Sequence, residues 1–192
     1  FDEEHQLSLQ VIRENMLKNH GYYKVTEDGV EQCLISCDDG VYRFTPPESE
    51  EQDWTVEKLV DEAASDAVLV DLDQDGEKEL ILISPFHGEH IYFYKKIDGD
   101  YKKVYTYDTA DFAHAIYGGT LLGKPAVIIG HRKGERNLLL FTWEQEKGQY
   151  QVEILDRDCG PANVFKYERG TEEVLISTNR EIDEVAMYTF EK

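Results

Sequence analysis

The chain has 192 residues, of which 20 are Lys or Arg and 40 are Asp or Glu, for a formal net charge of −20. A surface of that sign repels phosphate backbones and anionic headgroups, so nucleic-acid and membrane partners are excluded from the expectation. The apolar runs fall far short of the roughly 18 residues that span a bilayer, and three cysteines do not make a disulfide framework.

Cys33 and Cys37 would stand about 13 Å apart on an extended chain, outside the roughly 7 Å that a disulfide bridges. No signal peptide is recognisable, which gives a cytoplasmic location, with a removed leader as the alternative. The 12 Tyr and 8 Phe suit strands better than helices.

Glycines recur at Gly29, Gly76, Gly123 and Gly170, a constant spacing of 47. A period in this range marks a repeat architecture. In chain order, residues 7–12 read as an outer strand, because stepping back 47 from Trp54 and Val56 lands on Leu7 and Leu9. A helix over residues 4–19 is the rival, with Leu9, Ile12, Met16 and Leu17 at helical spacing.

The first unit (about 20–60) has an apolar strand at 33–36, an aromatic strand end at Phe44 and an outer strand opening on Trp54. The second (66–107) shows four strands, at 67–70, 79–84, 91–94 and 101–107, the last two joined by the hairpin signal Asp98-Gly99. The third (114–156) repeats this with an apolar run at 127–129, Phe141 and Tyr150. The fourth (162–192) stops after its third strand, at 185–190.

Four short β-type runs per unit define propeller blades. The expected fold is all-β: a β-propeller of four four-stranded blades. Strand 7–12, with unit segment 6–13, would complete the last blade and leave no open edge. The sequence leaves three closures open: a four-bladed ring, a homodimer completing an eight-bladed ring, or a piece of a longer propeller.

The second unit carries Asp71-Leu72-Asp73-Gln74-Asp75-Gly76-Glu77-Lys78-Glu79 between its first two strands. Oxygen donors stand at loop positions 1, 3, 5 and 9, and the glycine at position 6 permits a sharp turn. So many carboxylates converging on one point are unfavourable without a cation. Candidate metal residues are Asp71, Asp73, Asp75, Glu77 and Glu79; the alternative is a plain turn built on Asp and Gly.

The loop and the blade layout resemble the FG-GAP or VCBS propeller family. That resemblance implies one structural calcium ion that stiffens a blade. The motif is confined to this unit, since Thr26-Glu27-Asp28-Gly29, Leu121-Leu122-Gly123 and Glu168-Arg169-Gly170 lack the ligands.

Loops alternate between two faces, so the residues leading into strand one share a face with the turn after strand two. His20, Asp66, His114 and Asn163 lead into first strands. Asp38-Asp39, Phe86-His87-Gly88, His131-Arg132-Lys133 and Asn179-Arg180 follow second strands. His20, His114 and Asp66 are candidates for a base and its partner; His87, His131, Arg132, Asn179 and Arg180 are candidates for ligand contact, with Tyr117 and Phe86 as a stacking floor. Each histidine taken alone also reads as a hydrogen-bonded turn residue. His87 and His90 would face opposite sides of a strand, which disfavours zinc there.

Two functions follow as expectations. The first is a ligand- or protein-binding propeller with a His/Arg-lined channel mouth, directed at carbohydrate. The second, drawn from the family resemblance, is a sugar lyase or dehydratase that uses a histidine base for β-elimination. Fold alone does not decide between them.

Overall fold

A computed structural model of the chain describes residues 9–49 and 51–191. Among these, the structure is fifteen strands and one short 3-10 turn, Arg180–Ile182. Blade 1 holds β1 (Tyr22–Glu27), β2 (Val30–Cys37), β3 (Gly40–Thr45) and β4 (Thr55–Val60). Blade 2 holds β5 (Asp66–Val70), β6 (Glu79–Ser84), β7 (His90–Ile97) and β8 (Asp100–Tyr107).

Blade 3 holds β9 (Ala113–Leu121), β10 (Lys124–His131), β11 (Leu138–Glu144) and β12 (Gln149–Asp156). Blade 4 holds β13 (Pro161–Arg169), β14 (Glu172–Asn179) and β15 (Glu184–Glu191). Each sheet is an antiparallel meander in chain order, and together they form the blades of a β-propeller. No helix among the described residues is long and apolar enough to cross a membrane.

The sequence period is a period of register. Tyr22, Ala67, Ile116 and Phe165 on the first strands face Ile35, Leu82, Ile129 and Ile176 on the second, and those second-strand residues are spaced by 47. The repeated glycines sit in the turns between these strands with positive φ, at 79°, 97°, 74° and 62°, where a side chain would be strained.

The second strands of blades 2 and 3 are the most apolar because neighbouring blades cover both of their faces. All six residues of β6 are buried. Three cores result: Val25, Leu34, Leu80 and Leu82 between blades 1 and 2; Ile81, Phe93, Ile129 and Phe141 between blades 2 and 3; Ile128, Leu138, Leu140 and Leu175 between blades 3 and 4. The fourth strands β4, β8 and β12 lie outermost and are largely exposed or half-buried. Cys33, Cys37 and Cys159 are free thiols.

The expected closing strand is corrected in part. Leu7 and Ser8 lie outside the described residues, and residues 9–12 form neither a strand nor the rival helix. The sheet of blade 4 has three strands among the described residues. The physical reason is that the segment prefers blade 1. The Arg13 guanidinium lies 4.5 Å over the Tyr42 ring, Met16 packs on Cys37, Tyr42 and Phe44, and the Leu17 carbonyl accepts the Asp38 N–H at 2.9 Å. No core cluster among the described residues joins blade 4 to blade 1, and Phe165, Val185 and Met187 on blade 4 are 65%, 70% and 55% exposed.

Candidate functional site

The meander brings the approaches to the first strands and the turns after the second strands to one mouth of the propeller. Two positions before the register residues Tyr22, Ala67, Ile116 and Phe165 stand His20, Ser65, His114 and Asn163. Blades 1 and 3 therefore supply imidazoles at equivalent places, and the β6–β7 turn of blade 2 places His87 between them. The ring centroids of His87 lie 4.9 Å from His20 and 4.8 Å from His114, and those of His20 and His114 are 5.7 Å apart.

His87 is nearly parallel to His114, at 6°, and to Phe112, at 17° and 5.0 Å. Phe86 meets His20 edge-on at 5.3 Å. Two aromatic side chains thus wall a cluster of three imidazoles, with His20 exposed and the other two half-buried.

The outer two imidazoles are fixed by the neighbouring blade. His20 Nδ1 lies 3.2 Å from the Ser65 carbonyl oxygen, and His114 Nδ1 lies 2.7 Å from that of Ala162. A carbonyl only accepts, so each Nδ1 carries a proton, and in the neutral ring each Nε2 keeps a free lone pair. His87 is different: its Nδ1 is buried without a hydrogen-bond partner. Burial, and then the neighbouring His114 and His20, hold the His87 pKa below the ordinary histidine range.

Asp66 stands one residue beyond the position equivalent to the histidines. A shift of one residue turns a strand side chain to the opposite face. Its carboxylate accepts the Ala67 N–H at 2.9 Å, and blades 1 and 2 approach so closely here that a Cβ on Gly21 would lie 2.6 Å from the Asp66 Cα and the Ser65 carbonyl. Burial pushes the Asp66 pKa up to about 7.

The other expected contacts are placed differently. His131 is buried, with Nδ1 donating to the Lys133 carbonyl at 2.9 Å and Nε2 accepting the Asn137 N–H at 3.1 Å, so both nitrogens serve the β10–β11 turn. Asn179 is buried and bonded to Ser177, Glu184 and Tyr188. Arg132 pairs with Glu181 at 2.7 Å and covers Phe112 at 4.9 Å, which puts it at the rim of the mouth. Arg180 is exposed beside Glu181, and Tyr117 packs in the core between blades 3 and 4.

Ser65 and Phe112 escaped the sequence reading. Counting back from Gly76 misplaces the unit-two position by two residues, because the acidic loop lengthens the β5–β6 connection. Phe112, just before β9, carries no periodic signal.

The acidic loop lies at the opposite mouth. Ligand oxygens of Asp71, Asp73 and Glu79 lie within 4.8 Å of one another. Backbone donors shape the loop: the Gly76 N–H to Asp71, the Glu77 N–H to Asp75, and the Leu72 N–H to Glu79 at 2.7 Å. Asp71 Oδ1 is buried without a partner. Glu77 is exposed and stands outside the cluster.

The Lys95 ammonium contacts Asp73, Asp75 and Glu79, the last two at 3.4 Å. Burial opposes its charge, yet the carboxylates outweigh that and raise its pKa. Burial raises the Glu79 pKa as well. The donor set fits a hard cation, with Lys95 as a competitor inside the loop.

No protein-family model matches the chain, and no curated protein matches it.

Asp66 gives this region a pH dependence. Its folded pKa is raised, so the native state binds a proton that the unfolded state has released; stability is full below the ordinary value of 3.8 and is lost as pH rises through about 7. Asp66→Asn should remove this slope and unfold at higher urea than the wild type at pH 8, by about 1–4 kcal/mol, with the difference shrinking at pH 5. Equal pH slopes in both proteins would contradict the buried carboxyl.

Proposed function

We propose that this chain is a binding propeller whose His20–His87–His114 mouth takes a small polyhydroxylated ligand, a sugar by its chemistry. The observation that supports this is the convergence of imidazoles from three consecutive blades beside Phe86 and Phe112. Imidazoles both donate to and accept from hydroxyls. Because Arg132 is engaged by Glu181, neutral hydroxyls suit the mouth better than a carboxylate.

Elimination chemistry is the second reading. It is favoured by the Nδ1–H···O=C bonds of His20 and His114, which leave each Nε2 placed as a base. Neither histidine has a carboxylate as its orienting partner, which supports binding over catalysis.

Calcium belongs to this proposal as a stabiliser of blade 2 at Asp71, Asp73 and Glu79, in the manner that the FG-GAP or VCBS resemblance implies. It would take the place of the Lys95 ammonium. A second copy of the chain is a further partner under this reading: the exposed apolar side chains Phe165, Val185 and Met187 of blade 4 are what it would cover.

Three measurements test these statements. Titration with neutral and acidic monosaccharides, followed by the histidine ring resonances, should move His20, His87 and His114 together. His87→Ala should abolish the response with the melting temperature nearly unchanged, since its Nδ1 has no partner to lose. Appearance of the ultraviolet absorbance of an unsaturated product would instead favour elimination.

Lys95→Met should destabilise the protein by about 3–5 kcal/mol in chelator, because it leaves buried carboxylates uncompensated. Millimolar Ca²⁺ should restore more stability to this variant than it adds to the wild type; no calcium response in either protein would remove calcium from the loop. Light scattering should give the mass of two chains, reduced to one by Val185→Lys; a wild-type monomer would exclude the second copy.

A further inference from the structure

We infer that the channel mouth is a three-histidine site for a divalent late first-row transition metal, with one imidazole supplied by each of three consecutive blades. This rests on the reading of the mouth as a binding site and names what occupies it first. One nitrogen each of His20, His87 and His114 lies within 4.8 Å of the other two. Three nitrogens on a tetrahedral ion at about 2.1 Å stand about 3.4 Å apart. A metal lies in the plane of each ring it binds, so completing the set requires side-chain rotations that take His87 out of its parallel stack on His114. Imidazole suits zinc, cobalt, nickel and copper, whereas the oxygen-only loop at the other mouth suits calcium.

Three features around the cluster fit a metal. Metal-binding histidines commonly donate their second N–H to a carbonyl or carboxylate, which fixes the ring and directs the other nitrogen at the ion. His20 and His114 already do so, to the Ser65 and Ala162 carbonyls. The buried, unpartnered Nδ1 of His87 is the second feature. Leaving such a nitrogen unmatched costs about 1–3 kcal/mol, which an ion would relieve.

The third feature is access. His20 is exposed, so a fourth coordination position would face solvent. Three histidines with one open position leave room for a water or a ligand oxygen. A sugar hydroxyl bound there would meet a Lewis acid as well as the aromatic walls. Among the described residues, the cysteines belong to neither group able to hold a metal, so the imidazoles have no thiolate competitor.

The test is titration of the chelator-treated full chain with Co²⁺, whose tetrahedral complexes absorb visibly. One equivalent should bind per chain and be displaced by one equivalent of Zn²⁺. His87→Ala and the exposed His20→Gln should each weaken binding by more than about a hundredfold, beyond what the loss of an outer-shell partner costs. Asp71→Asn with Asp73→Asn should leave the cobalt band unchanged.

A band retained in both histidine variants, or lost in the acidic-loop variant, would overturn the assignment, as would the absence of stoichiometric binding. A monosaccharide that binds the chelator-treated protein and is lost in His87→Ala, with no cobalt band, would overturn the metal while leaving the mouth as a binding site.

Discussion

Everything in this molecule depends on the burial of the second strand of each blade between its neighbours. β6 has no exposed residue, and β10 is buried from Ala126 to His131. A strand covered on both faces cannot slip by one residue without driving its partners into the wrong core. The register pairs built on Ile35, Leu82, Ile129 and Ile176 repeat without change across the four blades, and in blades 2 and 3 this packing holds them there.

That rigidity is what lets loops of separate blades act as one site. His20 and His114 are far apart in the chain but equivalent in register, and each is tied to the backbone of the next blade. His87 reaches between them from a turn with φ of 49°, a left-handed conformation uncommon for a residue with a side chain. The mouth thus gathers imidazoles where the blades converge. At the opposite mouth, the carboxylates of blade 2 are balanced by Lys95. The imidazole cluster and the acidic loop thus lie at opposite mouths of the propeller.

The fold was legible because period and strand pattern agree: glycine turns at 47-residue spacing bracket apolar strands, and the blades begin and end within a residue or two of the expected units. The terminus was not. Residues 9–12 alternate like an outer strand, but the contacts that place the segment come from Arg13, Met16 and Leu17, whose partners on blade 1 carry no sequence signal. Among the site residues, His20, His87 and His114 were legible from their loops. His131 and Asn179 share those loops yet spend their polar atoms inside the turn, a distinction that composition cannot make. Lys95 was invisible for a related reason: it follows an aromatic strand end like any solvated lysine, and only the fold carries it over the Asp73 carboxylate.

The site depends on His20 and His114 being clamped by the blades beside them. Long-range nitrogen–proton correlation of the imidazole rings at neutral pH reads this directly, since it separates the two tautomers. Both rings should be protonated at Nδ1, with bare Nε2 nitrogens facing the mouth. Rings protonated at Nε2, or averaging rapidly between tautomers, would show that the carbonyls of Ser65 and Ala162 do not hold them and that the blades do not build the site.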